Sequence, residues 1–202
     1  MNLEEKFLAV GDIHGCSKQL LEILEIAKNY PNHKLIFLGD YIDRGPDSDG
    51  VLSILKNLDS ICLLGNHEEM LIDLVEELGE DEKFLFLREH EISLENYEWL
   101  KTLPLIFEST HYIFTHAGLN PNKPLKKQTS QDYLWTNYRG SYTHLTSKIV
   151  VQGHLHVSEV YREGNHCIID TNCGLGGYLS GLVLPEMQII KSKTIGKSYK
   201  VF

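Results

Sequence analysis

The sequence predicts an α/β fold in which a parallel sheet carries helices on its faces and a second sheet follows. Three times in the first third of the chain, an apolar run leads into a glycine-rich loop of acidic, amide or imidazole side chains, and then into an amphipathic segment. The runs "KFLAV", "KLIFL" and "SICLL" have the length and apolarity of buried strands, and strands that alternate with helices favour parallel pairing. After Gly79 this pattern stops, and from Leu105 the chain is richer in short extended runs. These runs predict the second sheet.

The first helix is expected from Ser17 to Lys28, "SKQLLEILEIAK", with Leu20, Leu21, Leu24 and Ala27 on one face and Ser17 as the N-cap. The segments "DSDGVLSILKNL" and "HEEMLIDLVEEL" read the same way. "EDEKFLFLREHEISLENYEWLKTLP" is helical in pattern, holds no loop of metal-type residues and stops at Pro104, where a helix cannot continue. It is expected to form a helical cap or insertion at about residues 80–104 of a single domain spanning 1–202. Beyond it, "HYIFTH", "KIVVQGH", "NHCIIDTN" and "LSGLVLPEM" are the strands expected in the second sheet, with turns at "EGN" and "GLGG". "NPNKPLKKQTS", with two prolines and several lysines, is expected to be a solvent-facing loop.

Composition narrows the function. The chain has 202 residues, 42% of them hydrophobic and 23% charged, and carries a net charge of −9. That acidic balance disfavours nucleic acid as a general partner, since such binders present a basic face. No apolar stretch approaches the roughly 20 residues of a membrane span. The opening residues, Met1 to Lys6, are mostly polar and acidic and only four apolar residues follow, unlike a basic-then-apolar leader, so a cytoplasmic protein is expected. Cys16, Cys62, Cys167 and Cys173 lie in or beside apolar segments without CxxC spacing, and read as reduced, buried thiols.

The loops carry the chemistry. "GDIHG", Gly11 to Gly15, is by itself ordinary turn material, because Gly and Asp favour tight backbone. It is not alone: "GDYIDRG", Gly39 to Gly45, and "GNHEEM", Gly65 to Met70, also follow apolar runs. Ligands in open α/β sheets gather beyond the carboxyl ends of strands, so Asp12, His14, Asp40, Asp43, Arg44, Asn66 and His67 are expected in one crevice. Carboxylates crowded there repel unless cations lie between them, which points to two divalent metals. "FTHAGL" and "VVQGHLH" add His116 and His154 at two further strand ends. A single histidine so placed is usually structural, but five such loops together point to a metal centre.

The order "GDIHG", "GDYIDRG", "GNHE", a histidine before "AG" and a later "GH" resembles the phosphoprotein phosphatases, within the calcineurin-like metallophosphoesterases. The similarity runs from Phe7 to about Pro185 and is nearest to the bacterial and phage-lambda-type Ser/Thr protein phosphatases. It implies a β-sandwich of two mixed sheets flanked by helices, with a two-metal site on loops at strand carboxyl ends. It further implies that Asp12 and His14 hold one ion, Asp40 bridges, and Asn66, His116 and His154 complete the second. Manganese is the expected metal, with iron or zinc as alternatives suited to the same oxygen and imidazole ligands. The implied reaction is direct attack of a metal-bridging hydroxide on a phosphomonoester. His67 would be the general acid, oriented by Asp43, while Arg44 and Arg139, with Asn66, would bind the phosphoryl group.

Glu68 reads equally as a supporting partner or as a first-turn helix acid, and His156, in Leu155-His156 where the family usually has Thr-Pro, as a loop histidine or a contact. The expected partner is a phosphorylated protein or peptide, because the chain has only four arginines and a tetraphosphate calls for more cations. A symmetrical dinucleoside tetraphosphate hydrolase is the catalytic alternative, with the same five motifs. A metal-containing binding module without turnover is the other, and the presence of His67, Asp43 and Arg44 argues against it.

Overall fold

The computed structural model describes residues 5–194. Residues 1–4, part of the opening segment read for a leader profile, and the last residues of the expected 1–202 domain lie outside them. Strands β1 (Phe7–Val10), β2 (Lys34–Phe37) and β3 (Ser60–Cys62) pair in parallel, as the repeated pattern predicts. The helices that join them are α1 (Ser17–Ala27) and α2 (Ser48–Lys56), and α3 (Asn66–Glu76) follows β3. The segment at 80–104 forms two helices, α4 (Glu80–Glu89) and α5 (Leu94–Leu100), with Ser93 capping α5 through Asn96 N–H.

Then come β4 (Ile106–Glu108), β5 (Tyr112–Thr115), α6 (Ser130–Trp135), β6 (Ile149–Gln152), β7 (Tyr161–Glu163) and β8 (His166–Ile168). They form a sheet in the order β4-β5-β6-β8-β7. The last two strands, β9 (Ser180–Leu184) and β10 (Gln188–Lys191), do not extend it, contrary to the expectation for "LSGLVLPEM". They return to the first sheet, in the order β10-β9-β1-β2-β3, with Phe7 opposite Leu184 and Val10 opposite Gly181. The reason is β1, buried along its whole length and needing hydrogen bonds on both edges while β2 supplies only one.

Alternation along β1 explains the layers. Phe7 and Ala9 point inward with Ile36, Leu38, Leu182 and Leu184 to meet Tyr112, Phe114, Val151 and Cys167 of the other sheet. Leu8 and Val10 point the other way, into a core shared with the helices. Leu20 and Ile23 of α1 are buried there and Leu24 and Ala27 pack against them, the steps of a helical stripe. Leu21, expected on that face, is 54% exposed, because it lies about 100° around the helix from Leu20. Ser17 is the first helical residue rather than the cap: Cys16 holds the N-cap position, with no side-chain capping bond. All four cysteines are free and buried. Among the described residues, no helix is long and apolar enough to cross a membrane.

Candidate active site

Every chemistry-bearing loop leaves the carboxyl end of a strand that is parallel to its neighbour. Asp12 and His14 follow β1, Asp40 follows β2, and Asn66 opens α3 just beyond β3. His116 follows β5 and His154 follows β6 in the opposing sheet. The two sheets therefore bring the same kind of edge to one place. The backbone there is unusual: of the eight described non-glycine residues with positive φ, five are His14, Asp40, Asp43, Arg44 and His154. Each such conformation costs on the order of 1–3 kcal/mol and persists only where the surroundings enforce it. Two glycines permit the close approach, since a Cβ on Gly65 would lie 2.2 Å from Asp40 N and one on Gly153 would lie 1.9 Å from Asp12 Oδ1.

The histidines are held by one nitrogen and present the other. His14 Nδ1 donates to Ile42 O at 2.8 Å and His116 Nδ1 donates to Leu38 O at 2.9 Å. Carbonyls only accept, so each Nδ1 carries the proton and each Nε2 keeps a lone pair. His14 Nε2 is buried without a hydrogen-bond partner and lies 3.5 Å from Asp40 Oδ2. His116 Nε2 lies 2.8 Å from Asn66 Oδ1 and 3.3 Å from Asp40 Oδ1, and His154 Nδ1 is 2.9 Å from the same Asn66 oxygen. Burial lowers the pKa of His14 and brings His116 and His154 down to about 3, so all three are neutral.

The acids feel the same dryness. Burial, with Asp170 and Asp40 nearby, holds Asp12 well above the carboxylate range, and burial pushes Asp40 up to about 6. Asp12 accepts the His154 backbone N–H at 3.0 Å. The Nε2 lone pairs of His14 and His116 thus face the Asp40 carboxylate and the Asn66 carbonyl oxygen, acceptor against acceptor, an arrangement that divalent cations would satisfy. The candidate ligand atoms of His14, Asp40 and His67 lie within 4.8 Å of one another, as do those of Asp40, His116 and His154, so Asp40 is common to both groups. Asp12 belongs to neither triplet.

At the rim, His67 Nδ1 donates to Asp43 Oδ2 at 2.5 Å. This turns Nε2 toward the site, 3.3 Å from Arg44 Nη2 and 3.8 Å from Asp40 Oδ2. Burial opposes a charge on this ring, but the Asp43 hydrogen bond and the Asp40 and Asp43 charges outweigh it and raise the His67 pKa. Arg44 Nη1 donates to His156 Nε2 at 3.2 Å, and Arg139 Nη2 to His156 O at 3.0 Å. His156 is therefore no detached loop residue: both arginines meet on it, and its Nε2 lies 3.3 Å from Asp170 Oδ2.

Two acids extend the sequence reading. Asp170 follows β8, is 1% exposed, and has an Oδ2 with no hydrogen-bond partner. It closes an apolar run, "HCIID", just as Asp12 and Asp40 follow theirs, and that pattern was the signal that could have singled it out. Glu68 is fully buried and accepts four backbone amides, from Asp40 at 2.9 Å, Tyr41 at 2.8 Å, Ile42 at 3.2 Å and Gly65 at 3.0 Å. It ties the loop of Asp40 to the start of α3, a role distinct from a first-turn acid that only favours the helix dipole.

Comparison with known proteins corrects one expectation. Over 143 residues the chain is 32% identical to a symmetrical bis(5'-nucleosyl)-tetraphosphatase of Nitrosospira multiformis, covering 67% of this chain and 52% of that protein. With the enzyme of the same name from Coxiella burnetii it shares 35% identity over 130 residues, 58% of this chain and 43% of the other. The chain spans about half the length of these curated relatives. A solved structure described as a "putative diadenosine tetraphosphatase" superposes with a TM-score of 0.78 at 27% identity, covering 98% of this chain and 96% of that one. These relatives overturn the expectation of a phosphorylated protein or peptide partner, because by name they act on small nucleotides. Counting arginines says nothing of what else along a cleft would neutralise a polyphosphate. Across residues 5–177 the sequence matches the model of the calcineurin-like phosphoesterases, and with both sheets and the site loops in the places described, the chain belongs to that family.

Proposed function

We propose that this protein hydrolyses dinucleoside tetraphosphates symmetrically, splitting the central phosphoanhydride to give two nucleoside diphosphates. The chemistry rests on one observation above all: the convergence of His14, Asp40, Asn66, His116 and His154 nitrogen and oxygen ligand atoms in one buried place. The choice of substrate is supported by the relatives, among them the solved structure that the chain matches over nearly its full length.

In this reading Asp12, His14 and Asp40 hold one divalent ion and Asp40, Asn66, His116 and His154 the other, with manganese as the first candidate. Bound ions would supply charge neutralisation at the phosphoryl oxygens and acidify a water. The protein's own groups do the rest. Arg44 and Arg139, braced on His156, bind phosphate oxygens as planar forks. As the water oxygen bonds to phosphorus and the bridging P–O bond breaks, His67 hands a proton from Nε2 to the departing diphosphate, while Asp43 holds the ring.

The test is turnover of diadenosine tetraphosphate by protein first stripped with a chelator and then loaded with manganese. Two molecules of ADP per substrate are expected from the loaded protein and none from the stripped one. Equal turnover without metal, no turnover with it, or release of AMP and ATP would overturn the proposal.

A further inference from the structure

Beside the metal-ligand cluster lies a cleft that none of the five motifs enters. It has a volume of about 730 Å³, within the roughly 300–1,000 Å³ of small-molecule sites. Its floor and walls include Trp135, Tyr138 and the side-chain amides of Asn122, Gln131 and Asn137. Trp135 is 37% exposed, yet fixed: its Nε1–H donates to Glu69 Oε2 at 2.7 Å, and its ring meets His154 edge to face at 6.2 Å. An aromatic plane pinned at the margin of a metal-ligand group, with part of its surface left open, is a stacking platform.

The polar lining fits a neutral heterocycle better than a charge. The amides of Asn122, Gln131 and Asn137 have no protein hydrogen-bond partner among the described residues, and each offers a donor and an acceptor. Asp132, the carboxylate of the cleft, is already neutralised by Lys123 Nζ at 2.6 Å. The segment from Trp135 to Arg139 spans the two environments. At one end it gives the indole to the cleft, and at the other it gives the guanidinium that reaches His156 beside Arg44. A ligand bound along this segment would have phosphates at the arginines and an aromatic group at the tryptophan.

We infer that the cleft walled by Trp135, Asn122, Gln131 and Asn137 is a nucleoside site, holding one base of the substrate stacked on the Trp135 indole. This rests on the dinucleoside tetraphosphate reading above. Two measurements on the manganese-loaded protein test it separately from that reading. In the first, kcat/KM is compared for diadenosine tetraphosphate and for inorganic tetraphosphate, which has no base. Trp135→Ala should lower the first relative to the second by roughly tenfold or more, the scale of one lost base stack, and Trp135→Phe should restore most of that ratio. In the second, adenosine is titrated while tryptophan fluorescence is followed. Quenching is expected in the unmodified protein and should vanish in Trp135→Phe, where only Trp99 reports. Failure of the unmodified protein to cleave diadenosine tetraphosphate would sink the functional reading but leave the adenosine titration to judge the cleft. Equal losses on both tetraphosphates, or quenching that survives in Trp135→Phe, would overturn the nucleoside site.

Discussion

Glu68→Gln isolates the contribution of one buried carboxylate to the site's architecture. The two carboxylate oxygens of Glu68 share four amides, Oε2 taking Asp40 and Gly65 and Oε1 taking Tyr41 and Ile42. Glutamine keeps the shape but has a single acceptor oxygen, so its NH2 group must face two buried N–H donors. Leaving a buried donor unmatched costs roughly 1–3 kcal/mol, which puts the gross loss for two at about 2–6 kcal/mol. Part is returned: burial and the Asp40 charge push Glu68 up to about 7, so removing its charge relieves that repulsion. A net loss of about 3 kcal/mol is expected, equivalent to roughly 6–12 °C in Tm for a chain of this size. Thermal and urea unfolding should be followed in chelated protein, so that lost metal affinity does not contribute. A Tm within about 2 °C of the unmodified protein would refute the idea that Glu68 holds the Asp40 loop by these bonds.

Other expectations follow from the same geometry. Asp40→Asn should be the most damaging single ligand change, with bound metal falling below two ions per chain by elemental analysis and kcat/KM dropping at least about 10²-fold, the scale of one lost charge-stabilising group; retention of both ions would disprove its shared role. His67→Asn should cut kcat by on the order of 10²–10⁴-fold for an alkyl phosphate, and less for an aryl phosphate, whose leaving oxygen scarcely needs a proton. Identical losses on both would remove His67 as the acid. At Asp132, burial raises the pKa but Lys123, Asn120 and Thr129 outweigh it and hold the carboxyl below its usual range. A pKa depressed in the folded state stabilises above the unfolded value near 3.9 and loses that contribution as pH falls through the folded one. Asp132→Asn should therefore lower the urea midpoint at pH 7 and flatten its decline below about pH 4; an unchanged acid slope would contradict the assignment.

The sequence by itself determined the parts of this protein whose causes are local. Buried parallel strands need continuous apolar runs, and a strand that ends in glycine and a metal-type side chain announces its loop, so β1 to β3, β5 and β6 and the residues beyond them were legible. Tertiary structure decided what depends on distant partners. Nothing in "LSGLVLPEM" states that it will pair with β1, because that choice was made by the unpaired edge of a strand more than 160 residues earlier. Glu68 and His156 carried ambiguous local signals, and only folding brought Glu68 to the amides of the Asp40 loop and His156 between two arginines. Asp170 had the right pattern, yet its place among Asp12 and Asp40 exists only once β8 lies beside β6. The cleft at Trp135 is more distant still from the sequence: its aromatic plane and amides belong to segments whose spacing follows no period, and their common surface is created only by packing.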